Sequence, residues 1–149
     1  MKLSTKGRYG VKAMLDLALH SECAPVSIKS IAQRQAISDN YLEQLFSVLR
    51  KSGHIKSIRG SQGGYVLSSK PEDITVGSIL RALEGSLAPV ECVVEDQPLT
   101  CDRYNICVTK TIWAKIRDKI NDVVDSITLS DLVEECMKNK NNGDFIFFI

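Results

Sequence analysis

The sequence predicts a mainly α-helical fold carrying one small β-hairpin. Three observations predict it. Apolar residues recur every three or four positions in six stretches of the chain. Two short alternating segments, residues 54–59 and 65–67, flank a glycine-rich turn, Gly60-Ser61-Gln62-Gly63-Gly64. The two helical stretches just before that hairpin are separated only by Ala36-Ile37. Helix, tight turn, helix and glycine hairpin follow one another in a winged helix-turn-helix domain.

The lead-in, residues 2–8, is basic. Over residues 7–20, Val11, Met14, Leu15 and Ala18 keep helical spacing, so a first helix packs there. Its start favours an anion, because the first N–H groups of a helix have no intrahelical partner. Lys6, Arg8 and Tyr9 stand at that start, within reach of a phosphate. Residues 21–25 make a loop holding Cys23. Residues 27–35 open with a capping serine and place Ile28, Ile31 and Ala32 on one side.

The next helix is the one around which the chain is organised. Asp39 is read as its cap and Gly53 as its end, since glycine accepts the left-handed conformation found there. Leu42, Leu45, Phe46 and Leu49 form its apolar face, and Asn40, Glu43, Gln44, Ser47, Arg50 and Lys51 fall opposite. Those polar types read nucleic acid: Asn40 and Gln44 match adenine edges, Ser47 several bases, and Glu43 the cytosine amino group. Arg59, on the glycine hairpin, suits a minor groove. Lys6, Arg8, Arg50, Lys51 and Lys56 suit phosphates. Tyr9, Ser38, Tyr41 and Gly60 complete the candidate DNA-contact set.

Charge supports that assignment. The net charge of +1 conceals 11 Lys/Arg against 4 Asp/Glu in residues 1–70, a net +7. Residues 71–149 carry 8 against 14, a net −6. A basic half that also holds the hairpin is a phosphate-binding face. No stretch reaches the roughly 18 consecutive apolar residues of a membrane span, and the polar N-terminus lacks a signal-peptide core, so a cytoplasmic protein is expected.

Beyond a polar link at residues 68–73, Thr75 opens a helix to about Leu83, with Val76, Ile79, Leu80 and Leu83 inward. Residues 86–111, with Pro89, Pro98 and three cysteines, read as irregular. From Ile112 to Ile127 apolar residues return at Trp113, Ile116, Ile120, Val123 and Val124, a long amphipathic helix suited to pairing with a second copy. Residues 129–137 form a short last helix, and Phe145-Ile146-Phe147-Phe148-Ile149, too apolar to float free, is expected either to dock as a strand or to be disordered. Three units result: residues 1–85 a DNA-binding domain, 86–111 a cysteine-bearing sensor loop, 112–149 a dimerisation helix and tail.

Cys92, Cys101 and Cys107 are spaced C-x8-C-x5-C. Zinc sites use closer pairs, and a chain without a secretion signal has little use for structural disulfides. Three thiols in one loop match the ligands of an iron–sulfur cluster. Unrelated loop thiols, a zinc-structured loop and a metal-free thiol sensor are the alternatives. No base stands beside a nucleophile in the pattern, and no enzyme is expected.

Several motifs are longer than chance spacing. The stretch Met1-Lys2-Leu3-Ser4-Thr5-Lys6-Gly7-Arg8-Tyr9 is one. Tyr41-Leu42-Glu43-Gln44-Leu45 is another, with Ile58-Arg59-Gly60 before Gly63-Gly64-Tyr65 and Cys107 ahead of Trp113. On these, over residues 1–135, the sequence resembles the Rrf2 family of winged-helix regulators, and most of all its cluster-sensing members. The resemblance implies a homodimer whose long helices cross, reading a palindromic operator in double-stranded DNA. It also implies a [2Fe–2S] cluster on Cys92, Cys101 and Cys107 that controls DNA binding, and no enzymatic activity.

The chain departs from the family pattern in three places. The first cysteine gap is longer, Lys110 replaces a histidine ligand, and Arg8 stands where a nitric-oxide-sensing member carries a carboxylate. The fourth ligand is therefore unassigned, among Glu91, Glu95, Asp96, Asp102 or a partner-subunit group, with His20 and His54 less suited. The terminal FIFFI and the sequence near residues 69–74 and 127–132 also resemble a cluster-free member that represses cysteine-metabolism genes. That member works with a cysteine-biosynthesis enzyme as partner.

Overall fold

The computed structural model describes residues 2–97 and 101–142. Among them all six expected helices form: α1 (Thr5–His20), α2 (Ile28–Gln35), α3 (Asp39–Lys51), α4 (Val76–Glu84), α5 (Lys110–Ser126) and α6 (Leu129–Asn141). β1 (Ile55–Ile58) and β2 (Gly64–Leu67) pair antiparallel, with Ile55 opposite Leu67 and Ile58 opposite Gly64. Mainly α with a hairpin wing is the observed class. Pro98 and the FIFFI tail lie outside the described residues.

Serine and threonine caps start most of the helices. Ser4, Ser27, Ser38, Thr75 and Thr128 each accept a first-turn N–H. The expected Asp39 cap is corrected by one residue. Ser38 has the extended backbone of a cap and accepts from the Tyr41 N–H at 3.3 Å, while Asp39 is the first helical residue. Asp39 contributes its charge to the positive end of α3 instead. Gly53 (φ 82) follows the helix end as expected. α6 runs past the expected Met137 to Asn141, because Lys138 and Lys140 suit a helix C-terminus although they carry no apolar signal.

The core joins α1, α2, α3, α4, β1 and the start of α6. Met14, Leu17, Ile31, Leu42, Leu45, Phe46, Leu49, Ile55, Ile79 and Leu129 are fully buried. α6 is held beside α4 by backbone bonds, Val76 N–H to Ile127 O at 2.8 Å and Leu129 N–H to Ile74 O at 2.9 Å. Val26 adds a third, one-residue strand: it exchanges backbone bonds with Tyr65 at 2.8 and 2.9 Å. Gly64 permits that approach, since a Cβ there would press on the Val26 carbonyl. The wing is thereby seated on the start of α2. No helix among the described residues is long and apolar enough to cross a membrane.

His54 closes the joint between the end of α3 and α4. Its Nδ1 is 2.7 Å from Ser52 Oγ and its Nε2 3.1 Å from Ser78 Oγ. Burial holds its pKa below the ordinary 6.5. The folded state then binds fewer protons than the unfolded state in the interval below 6.5, so stability is retained above 6.5 and lost as pH falls towards the folded pKa. His54→Gln is expected to flatten that loss in thermal melts taken across the interval. Parallel pH profiles for the two proteins would refute it.

Candidate nucleic-acid interface

α3 buries its leucines and Phe46 against the core, which turns Asn40, Glu43, Gln44, Arg50 and Lys51 to solvent. Ser38 is exposed at the cap, while Tyr41 and Ser47 lie half-buried at the edges of the same face. Tyr41 meets Tyr9 of α1 edge-on, ring centroids 6.0 Å apart, and Lys12 stands 5.8 Å over the Tyr9 ring. This contact brings the start of α1, with exposed Lys6 and Arg8, alongside α3. On the wing, Gly63 N–H donates to Gly60 O at 3.1 Å and closes a turn that leaves Lys56, Arg59 and Gly60 exposed. Phe46 packs on Tyr65 at 4.9 Å and fixes the wing to α3. The fourteen candidate DNA residues thus come from three elements that contact one another.

One expectation is corrected. The anion position at the start of α1 is already taken by Glu84, whose Oε1 accepts from Gly7 N–H at 2.9 Å and from the Ser4 hydroxyl. The packing of α1 on α4 brings that carboxylate 77 residues along the chain from Gly7, and no local signal announces it. Two further contacts escape sequence reasoning for the same reason. Asp16, 2% exposed, receives Arg34 and Gln35 of α2, and His54 bridges to Ser78.

The three cysteines are placed but not gathered. Cys92 sits half-buried in a single 3₁₀ turn, Glu91–Val93. Cys101 is exposed, and Cys107 is half-buried just before α5. Thr109 Oγ1 lies 3.2 Å from Cys107 Sγ, and this bond, with backbone N–H groups of Lys110 and Thr109 and the Lys110 charge, pulls the thiol pKa below 9.0. Lys110 Nζ donates to Tyr104 O at 2.7 Å and lies 3.8 Å over the Tyr104 ring. Among the described residues no three His, Cys, Asp or Glu side chains stand close enough to hold a metal ion. The donor types suit an iron–sulfur cluster, but their placement does not assemble a site for one.

The model of the family described as "Iron-dependent Transcriptional regulator", Rrf2, matches residues 3–135. The chain belongs to the Rrf2 family. The Rrf2 protein of Nitratidesulfovibrio vulgaris is 47% identical over 145 residues, 95% of each chain. The regulator CymR of Bacillus subtilis is 48% identical over 132 residues, 89% of each. Among solved structures, T. potens IscR superposes with a TM-score of 0.75 at 51% identity, covering 91% of this chain and 88% of the other. This Rrf2 chain is accordingly a winged-helix, DNA-binding transcriptional regulator, not an enzyme.

Proposed function

We propose that this Rrf2-family protein is a homodimer that binds a palindromic operator, with the Cys92–Cys101–Cys107 loop as its sensing element. The observation that supports DNA reading most is the continuous surface of α3, the α1 start and the wing. In the proposed complex α3 reads the major groove through Asn40, Glu43, Gln44 and Ser47, and Arg59 enters the flanking minor groove. Lys6, Arg8, Arg50, Lys51 and Lys56 neutralise phosphates. Arg59→Ala is expected to weaken binding to a selected operator at least severalfold, a contact worth about 1 kcal/mol or more. Equal affinity in a gel shift would refute the wing's role.

α5 supports the dimer. None of its residues is buried, and Ile112, Ile116, Ile120, Val123 and Val124 line an apolar groove of about 600 Å³ edged by Lys115 and Lys119. A helix apolar on a free face needs a partner, and a second copy supplies a matching one through two-fold symmetry. Lys119 and Asp122, 3.2 Å apart, pair along the surface of α5 beside that groove.

For the loop, the [2Fe–2S] reading rests on three thiols in one segment and on the family's description as iron-dependent. Cys92, Cys101 and Cys107 would be its ligands, and the group would supply a redox-labile centre. The second reading is a cluster-free regulator of sulfur metabolism that responds by thiol oxidation or through a partner enzyme. It is favoured by the likeness to the solved "Global Cysteine Regulator of B. subtilis", 48% identical with a TM-score of 0.74. Iron and acid-labile sulfide, counted per chain on protein purified without oxygen, decide between them. Equal, non-zero amounts with visible absorption bands are expected for the cluster. Colourless protein that cannot be reconstituted yet binds DNA would leave the second reading.

A further inference from the structure

Glu84 is the last residue of α4, and its carboxylate caps the first turn of α1 through Gly7 N–H and the Ser4 hydroxyl. The next residues begin the cysteine loop. Its far side is fastened to α5 in two places: Arg117 Nη1 donates to Val93 O at 2.8 Å, and Asn121 Nδ2 donates to Glu95 Oε1 at 3.0 Å. Val93, 5% exposed, follows Cys92 directly. Beneath the span between the two anchorages lies a cavity of about 370 Å³, bordered by Leu3, Leu80, Glu84, Leu87, Pro89 and Ile120. The segment therefore bridges from α5 to α1 over space into which it can move.

From this we infer that Glu84 is the positioning residue through which the cysteine loop sets the DNA-facing start of α1. A change at Cys92 that shifts Val93 or Glu95 draws on Gly85, the first residue past α4, and so on the carboxylate beside it. Released from Gly7 and Ser4, Glu84 leaves the first turn of α1 with fewer acceptors for its free N–H groups. That turn carries Lys6, beside Arg8 and Tyr9, so its fraying loosens phosphate contacts and the Tyr9–Tyr41 contact to α3.

The inference rests on the DNA-binding reading above and is tested by a double-mutant cycle on operator affinity. Arg117→Ala removes the Val93 anchorage and the 3.5 Å ion pair to Glu95, leaving the Asn121 bond, and Glu84→Gln weakens the joint to α1 while keeping its shape. With Glu84 present, R117A is expected to lower operator affinity by about fivefold or more, a typical coupling. In an E84Q background the same change is expected to cost less than about twofold, because the link is already cut. An equal loss in both backgrounds would overturn the inference, as would a folded R117A with unchanged affinity. Neither result touches the DNA-contact assignment, whose wing Arg59→Ala tests separately. Should R117A fail to fold, Asn121→Ala, which removes the bond to Glu95 together with the acceptor of Arg81 Nη1, takes its place in the same cycle.

Discussion

Replacing both Ile112 and Val123 with aspartate is expected to leave the protomer folded and to abolish the dimer. In the protomer these side chains are 50% and 57% exposed, so a charge at either meets water and costs the fold little. In the proposed dimer they are covered. Two-fold symmetry means each substitution is felt twice, so Val123 alone removes two buried side chains worth about 1.5 kcal/mol each. That is about 3 kcal/mol, a hundredfold in the dimer constant, before any repulsion between facing carboxylates. With Ile112 added, dissociation becomes complete at ordinary working concentrations. Operator affinity follows, because two linked half-site readers gain about 10²–10⁴ over one. Sedimentation gives the mass, circular dichroism the fold and a gel shift the affinity. A double variant that stays dimeric would remove α5 from the interface.

How much of this was legible in the sequence depends on how local each cause is. The helices were, because Leu42, Leu45, Phe46 and Leu49 repeat at the helix period and Gly53 and the glycine turn punctuate them. The outward face of α3 followed from the same repeat. The capping residue is one position earlier than the sequence suggests: Ser38 and Asp39 are adjacent and both suit a cap, and the extended backbone of Ser38 and its bond from the Tyr41 N–H separate them. What the sequence could not reveal were contacts made by tertiary packing. Nothing near Glu84 marks it as the acceptor for Gly7, nor Asp16 as the partner of Arg34. The cysteines illustrate the opposite case. Their clustering within 16 residues is plain in the sequence, yet among the described residues no three such donor side chains stand close enough to hold a metal ion.

The second large effect is expected at Arg34. Asp16 projects from the middle of α1 into the interior, where it is 2% exposed. Arg34 Nε donates to its Oδ2 at 2.9 Å and Nη2 to its Oδ1 at 2.6 Å, a two-pronged bond, and Gln35 Nε2 adds a third at 2.9 Å. The carboxylate holds the Arg34 pKa above its ordinary value. Arg34→Ala leaves the buried carboxylate with the Gln35 amide and, 3.5 Å away, His20 Nδ1, and removing one partner of a buried pair costs about 3–5 kcal/mol. Because the Arg34 side chain is itself 35% exposed, water can reach part of the vacated site, which places the effect at about 3 kcal/mol. Against a typical stability of about 5–15 kcal/mol this is a large share. The charge, not the lost packing, is the cause. The double variant Asp16→Leu with Arg34→Met is therefore expected to be more stable than R34A alone, since it strands no charge. Urea unfolding of the three proteins orders them. If R34A matched the parent, the pair would carry no stability. If the double variant were the least stable, packing rather than charge would be the cause. Loss of the pair also frees α2 from α1 and hence the platform on which α3 is aimed, so operator affinity is expected to fall with stability in R34A and to recover in part in the double variant.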